Sequence, residues 1–484
     1  MLDLTKPEHV LDKIREKKFD FVEFWFVDMF GELHSLGIPS YSLEEEHFNK
    51  GLQKLDASSI RGFKSVNDSD LLLIPDVSTF KELPNYYDKA KRRSARIFVD
   101  IYEENEDGLK DRFNKDSRGI VTKARGELHK LGIQQARFGP EIEFFIFDSI
   151  KLLPAAANAV SSSGTIGYSI KSVEAPWSQT NTSVNLRGGY YSAKPRDTLD
   201  SIRKDICDDL HRYFGVKVEA HHHEVATSGQ CEINIQHDEM LSMADTVTTI
   251  KNMVKVKSKH VGKAATFMPK PIYGDNASAM HVHHSIFSDS ENLLYDQNDK
   301  IAGLSQMGRY YMGGILDHAA AICAISNPTT NSYKRLVAGY EAPIGICWGL
   351  SNRTAAIRIP KTFSGDQTKK RIEYRVPDPA CNIYLLEAAI TLAGLDGIKR
   401  KIDPGSPVEE NVYTMTPEKR RSHKLSLLPS TLKEALDALQ SDRGFLEQVF
   451  TSEFLDTYVS IKYNEYSIFA QTPTVWEVAM YSNI

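Results

Sequence analysis

Long apolar runs, paired cysteines and charge of one sign are all missing from this sequence, and each absence removes a class of function. No stretch approaches the ~18 uninterrupted apolar residues of a membrane-spanning helix. The richest candidate, residues 312–325, is broken by Asp317 and His318. The opening residues Met1-Leu2-Asp3-Leu4-Thr5-Lys6 lack the apolar core of a secretory signal. Five cysteines, at 207, 231, 323, 347 and 381, are scattered, odd in number and free of C-x-x-C pairs. That argues against a disulfide framework and against a thiolate zinc site. The expectation is a soluble, cytoplasmic protein. A net charge of −5 gives no electrostatic reason to expect nucleic acid. The short basic runs at 89–93 and 419–421 read as solvated faces. Neither G-x-x-x-x-G-K-[ST] nor a G-x-G-x-x-G after a strand is present, so any nucleotide must be held by metals and arginines.

What is present is an ordinary globular composition, 41% apolar and 25% charged over 484 residues, enough for one small and one large domain. Residues 7–17 place Val10, Leu11 and Ile14 at helical spacing. Residues 21–27 and 33–38 read as a hairpin about Phe30-Gly31-Glu32, and 71–74 and 95–101 as further strands. The charged segment 103–118 is the linker candidate, which sets domains at 1–106 and 107–484. Strands and helices then alternate. Helices are predicted from Asp116 or Ser117 to about Gly132, over 195–214 ending at Gly215, over 239–260, and up to Asn327-Pro328. Strands are predicted over 138–147, 216–225, 231–235, 264–268 and 280–287, with an Ala/Ser/Gly-rich loop at 151–167. The tail after Pro429 reads as mainly helical. The class is α+β with mostly antiparallel signals.

The strands carry charges that do not belong in a core. Glu141 and Glu143 lie two apart among Ile142, Phe144, Phe145 and Phe147, so a strand puts both on one face. Two like charges there are costly unless a cation neutralises them. Glu224 and Glu232 flank the Thr-Ser-Gly-Gln turn and reach a common centre if that turn closes a hairpin. His281 and His283 form a third pair, and Arg371, Glu373 and Arg375 alternate in a fourth. Either these are exposed faces balanced by ion pairs, or they hold a hard cation such as Mg²⁺ or Mn²⁺. The run His221-His222-His223 alternates faces, so all three cannot bind one ion. Arg335, Arg353, Arg358, Arg371 and Arg375 fall within forty-one positions. They are either ordinary surface arginines or a clamp for phosphate and carboxylate.

At these residues the chain resembles the class I glutamine synthetases, and the resemblance runs along nearly its whole length. It is carried by Phe-Gly-Pro-Glu-Ile-Glu-Phe-Phe (138–145), His-His-His-Glu-Val-Ala-Thr-Ser-Gly-Gln-Cys-Glu-Ile (221–233), Ala-Thr-Phe-Met-Pro-Lys-Pro (265–271) and Asn-Pro-Thr-Thr-Asn-Ser-Tyr-Lys-Arg-Leu-Val (327–337). Gly-Tyr-Glu-Ala-Pro (339–343), Asn-Arg-Thr-Ala-Ala-Ile-Arg-Ile-Pro (352–360) and Arg-Ile-Glu-Tyr-Arg (371–375) continue it.

The resemblance implies an N-terminal β-grasp domain and a large catalytic domain with a curved, mainly antiparallel sheet flanked by helices. It implies ATP-dependent ligation of ammonium to L-glutamate through a γ-glutamyl phosphate, as part of nitrogen metabolism. Subunits would pack as a dodecamer of two hexameric rings, with each active site shared by neighbours. One Mg²⁺ or Mn²⁺ would take Glu143, Glu224 and Glu232, and a second Glu141, His281 and Glu373. Glu219, His283, Ser285, Arg358 and Arg371 match ATP-binding positions, with Arg353 also contacting phosphoryl groups. Asn276, Ala277, His281, Arg335, Glu341 and Arg375 match glutamate-binding positions. Asp56 and Ser59 match the ammonium site, with Asp56 supplied by the adjacent subunit, and Glu341 matches a flap that closes the site.

The family usually carries glycine where this chain has Ala57, Ala277 and Ala279, and proline where it has Ala338. Those changes keep open a γ-glutamyl ligase acting on an organic amine. A non-catalytic, structural or nitrogen-sensing relative is the other alternative. Tyr413 stands in Asn-Val-Tyr-Thr-Met-Thr rather than an adenylylation sequence, so no adenylylation is expected. Arg61 is either a feedback-sensing residue or a surface arginine.

Overall fold

The apolar run 21–27 is nearly continuous because its strand is buried on both faces. In the computed structural model, which describes residues 6–104, 110–153, 167–361, 367–423 and 425–484, it forms β1 (Phe21–Val27). β1 pairs antiparallel with β2 (Leu33–Pro39) and parallel with β5 (Ser94–Glu104). β4 (Asp70–Pro75) and β3 (Leu52–Asp56) complete the order β2-β1-β5-β4-β3 in a seven-stranded sheet. Val22, Phe24, Ile97 and Val99 face a core shared with Val10, Leu11 and Ile14 of helix α1 (Pro7–Glu16). Trp25, Val27 and Phe98 point the other way, into the core of the rest of the chain.

The segment predicted as a linker is structured at both ends. Lys110–Arg112 pairs back on β5, and Asp116 N-caps α2 (Ser117–Lys130). Several of its charges pair rather than stay solvated, Arg112 with Asp100 (2.8 Å) and Asp116 (2.5 Å) and Lys115 with Glu453 (2.8 Å), and residues 105–109 lie outside the described residues. Arg118 is buried among three carboxylates, reaching Asp76 at 2.9 Å, Asp245 at 2.9 Å, and Asp100. It thus ties the first sheet to the long helix Met240–His260. Arg118→Leu would strand the aspartates, and we expect a loss of about 3–5 kcal/mol, measured by denaturant unfolding.

The second sheet has eleven strands and is mainly antiparallel. Its central path is β7 (Val218–His223), β8 (Gln230–Ile235), β6 (Gln135–Phe147), β9 (Val282–Ser288), β12 (Ile372–Tyr374), β11 (Ala355–Arg358) and β10 (Gly345–Gly349). Only β10 and β11 run parallel along that path. Against it lie α3 (Asp200–Phe214), α4 (Met240–His260), α5 (Gln306–Asp317), α6 (Ala319–Ser326) and α7 (Ile383–Arg400). α8 (Leu432–Ser441), α9 (Ser452–Gln471) and α10 (Val475–Tyr481) form the helical tail.

Helix α3 starts at Asp200, five residues later than the apolar spacing suggests. Glu174 Oε1 accepts from the Thr198 amide (2.6 Å) and hydroxyl (2.7 Å), and Asp197 accepts from the Leu199 amide (3.2 Å). Those bonds hold the preceding backbone in a turn. The strands predicted at 216–225 and 264–268 are shorter, at Val218–His223 and Ala264–Thr266. Of the predicted loop at 151–167, Ser149–Leu153 and Gly167–Lys171 pair as a hairpin, and 154–166 lie outside the described residues. No helix among the described residues is long and apolar enough to cross a membrane.

Candidate active site

Strand parity gathers the charged pairs onto one face of the large sheet. Glu143 on β6 lies opposite Glu232 on β8, a like-charge pairing that a sheet disfavours without a counter-ion. His283 on β9 lies opposite both Gly139 of β6 and Glu373 of β12. The hairpin closes as the turn requires. Gly229 takes φ +91°, and a Cβ there would stand 2.5 Å from the Ile146 carbonyl.

Two clusters result. Ligand atoms of Glu141, His281 and Glu373 lie within 4.8 Å of one another, as do those of His222, Glu224 and Glu232. Glu143 sits beside the second cluster. Its carboxylate accepts from Gln230 Nε2 (3.0 Å) and the Ala279 amide (2.9 Å). Burial, with Glu232 adding to it, pushes Glu143 well above the usual carboxylate range. Burial together with Glu143 and Glu232 pushes Glu224 up to about 10. Glu141 is different. Burial raises it, but hydrogen bonds from His281 and His283, both 3.0 Å, hold it well below its ordinary value. A hard, oxygen-rich donor set whose carboxylates repel one another suits a divalent cation.

The arginines border this face. Arg358 lies 3.1 Å from Glu373, and Arg375 Nη1 donates to the same carboxylate. Arg371 Nε meets His283 Nδ1 at 3.1 Å. Arg335 is buried and donates to the carbonyls of Val376 (2.6 Å) and Arg375 (3.0 Å). Arg353 is exposed and meets Glu341 at 3.3 Å. A cleft of about 290 Å³ is lined by Glu141, Glu143, Glu224, Glu232, Asn276, Ala277, His281, Arg335, Glu341, Arg353, Arg358 and Arg375. A larger cavity, about 810 Å³, opens between the first sheet and α4, but it lacks the converging carboxylates and is not the candidate site.

Other predicted residues fall elsewhere. His283, Ser285 and Arg371 continue along the same sheet face beyond the cleft, where Ser285 lies opposite Arg137. Glu219 is exposed at a bulge in β7. Asp56 ends β3 of the first sheet and Ser59 lies in the 3₁₀ turn that follows, both outside the cleft lining. There the Ser58 amide (3.0 Å), Ser58 hydroxyl (2.7 Å) and Ser59 hydroxyl (3.3 Å) bond to Asp56. Arg61 pairs with Glu465 at 2.7 Å and lies over the Phe30 ring. Tyr413 donates its hydroxyl to the Ala342 carbonyl at 2.6 Å.

Several residues of the cleft escape sequence reasoning, among them His222, Gln230, Tyr190 and Tyr191. His222 shares strand parity with Glu224, which is the available signal. His223 instead bonds to buried Glu174 at 3.1 Å. Tyr190 and Tyr191 stack at 4.1 Å on a loop with no periodicity. Their signal is Gly188-Gly189, since a Cβ on Gly189 would stand 2.4 Å from the Glu224 carbonyl. Ala57, Ala277, Ala279 and Ala338 all avoid positive φ, so none is strained by its methyl group.

The model of the glutamine synthetase catalytic domain matches residues 114–481, and that of the glutamine synthetase beta-grasp domain matches residues 18–104. The chain belongs to the glutamine synthetase family. A glutamine synthetase of Sulfolobus acidocaldarius is 44% identical over 484 residues, covering 99% of each chain. That of Salmonella typhimurium is 40% identical, again over 99% of each. Among solved structures, Plasmodium falciparum glutamine synthetase superposes with a TM-score of 0.87 at 26% identity, covering 99% of both chains. GmaS in complex with ADP gives 0.79 at 26% identity, covering both chains in full. As a glutamine synthetase, the enzyme is a glutamate–ammonia ligase, of a family that uses ATP and divalent metal ions.

Proposed function

We propose that the cleft is where ATP phosphorylates the γ-carboxylate of L-glutamate and ammonia displaces the phosphate. The observation that carries this reading is the pair of carboxylate–histidine clusters on one sheet face, bordered by arginines. One Mg²⁺ or Mn²⁺ fits Glu143, Glu224 and Glu232, with His222 at its edge, and a second fits Glu141, His281 and Glu373. Divalent ions there supply Lewis-acid charge for phosphoryl transfer. Glu219, His283, Ser285, Arg358 and Arg371 hold the nucleotide, and Arg353 offsets charge as the phosphoryl group moves. Asn276, Ala277, His281, Arg335 and Arg375 orient glutamate, while Glu341 shields the acyl phosphate from water. Asp56, beside Ser59, takes the proton of ammonium.

Residues 1–106 act as the β-grasp domain and 107–484 as the catalytic domain, with Asp56 completing the site of a neighbouring subunit in a dodecamer of two hexameric rings. Assembly is supported by α10, whose Val475, Trp476, Val478 and Met480 are all more than half exposed. The direct test is phosphate release with ATP, Mg²⁺, glutamate and either ammonium or small amines. Ammonium-dependent release that yields glutamine is expected, and release only with an organic amine would overturn the reading.

A pH dependence follows from the carboxylates. Glu224 is raised from about 4.5 to about 10, so metal-free protein holds it protonated at neutral pH. That proton stabilises the fold most fully below the unfolded value, and the contribution is lost as pH rises towards the folded value. A metal must expel the proton. Calorimetric affinity for Mg²⁺ or Mn²⁺ should therefore increase with pH across this window, with measurable proton release into buffer.

A further inference from the structure

The segment that carries Glu341 over the cleft has an unusual backbone and an unusual neighbour. Gly339 takes φ +88° and Glu341 φ +60°, the latter a left-handed conformation uncommon for a glutamate. Between them, the half-buried Tyr340 ring meets two cations. Lys270 Nζ lies 3.8 Å from the ring centroid, and Arg187 Cζ lies 4.3 Å from it. A ring face attracts a cation through its quadrupole, most strongly where water is scarce.

The two cations come from different loops, and one buried carboxylate joins those loops. Asp275, fully buried, accepts from the amides of Arg187 (2.9 Å), Thr227 (2.8 Å) and Asn276 (3.0 Å). Lys270 Nζ donates to the Asp275 carbonyl. Its main chain is fixed by Asn331, which accepts from the Lys270 amide at 2.7 Å and donates to its carbonyl at 3.0 Å. Arg187 leads to Tyr190 and Tyr191 at the cleft, and Lys270 leads to Asn276. The ring therefore bridges the covering segment to two loops that line the site and are already fixed to each other.

We infer that Tyr340, gripped by Lys270 and Arg187, is the latch that holds Glu341 closed over the site, which makes all three positioning residues. This rests on the acyl-phosphate reading above. With the latch open, water replaces ammonia as nucleophile. Its oxygen adds to the γ-carbonyl carbon, the bond from that carbon to the phosphate oxygen breaks, and phosphate leaves with the electron pair. One proton of water ends on the departing phosphate and the other passes to solvent, glutamate is regenerated as its carboxylate, and the net reaction is ATP hydrolysis.

The readout is phosphate released per glutamine formed, measured on the assembled enzyme at saturating ATP, glutamate and ammonium. A merely structural defect lowers both products together and leaves this ratio in place. For Tyr340→Leu the ratio should rise roughly fivefold or more, and for Lys270→Met and Arg187→Met about twofold or more. Tyr340→Phe, which keeps the ring, should hold the wild-type ratio. An unchanged ratio in Tyr340→Leu and Lys270→Met overturns the latch, as does a Tyr340→Phe ratio as high as that of the leucine variant. If Tyr340→Leu fails to fold, Lys270→Met and Arg187→Met, which leave the ring in place, decide the matter. A wild-type enzyme that forms no glutamine from ammonium would sink the parent reading instead, so the two failures are distinguishable.

Discussion

Glu232→Gln should lower kcat about 10³-fold, the scale expected when charge stabilisation is removed from a transferring phosphoryl group. Metal-free protein should at the same time become more stable, by about 1–3 kcal/mol, because buried charge has been removed. Glu232 is buried, stands opposite Glu143, and helps to raise both Glu143 and Glu224. Glutamine is close in shape, and its amide oxygen can keep accepting from Asn234 Nδ2, now at 2.6 Å. Lost activity alone would fit any damaged enzyme. Lost activity, gained thermal stability and loss of the thermal shift on adding Mg²⁺ or Mn²⁺ together fit only a metal-neutralised carboxylate group. A variant that is less stable without metal would assign Glu232 a structural role.

How much of the site is legible in the sequence depends on how local the signal is. A strand has period two, so spacing alone puts Glu141 with Glu143, His281 with His283, and Arg371 with Glu373 and Arg375 on shared faces. The same parity points to His222, but the adjacent histidines obscure it. Tyr190 and Tyr191 follow no period and are visible only through the double glycine that precedes them. Arg118, Asp275 and Lys270 give no signal at all. Their partners lie far off in the chain or on the backbone, and neither spacing nor composition records such contacts. The helix at 195–214 starts later than its apolar spacing suggests because Glu174, twenty-four residues from Thr198, claims that backbone.

The proposed sharing of the site between subunits gives the second large effect. Among the described residues, none that lines the cleft comes from the N-terminal sheet. Asp56 is exposed there, held below its ordinary value chiefly by hydrogen bonds from Ser58, and so is poised as a carboxylate. If it serves a neighbour, Asp56→Ala should lose about 10²–10³-fold in turnover while keeping its own metal clusters intact. The inactive Asp56→Ala and Glu232→Gln chains should then complement each other. Co-assembled at equal amounts, they form some sites that pair the unaltered Asp56 of one chain with the unaltered Glu232 of the next. Random mixing within a closed ring makes that about a quarter of all sites, and activity should recover to about that fraction. Mixing without subunit exchange should restore nothing. Full co-assembly without recovery would place Asp56 and Glu232 in the same site of the same chain, and the shared-site arrangement would fall.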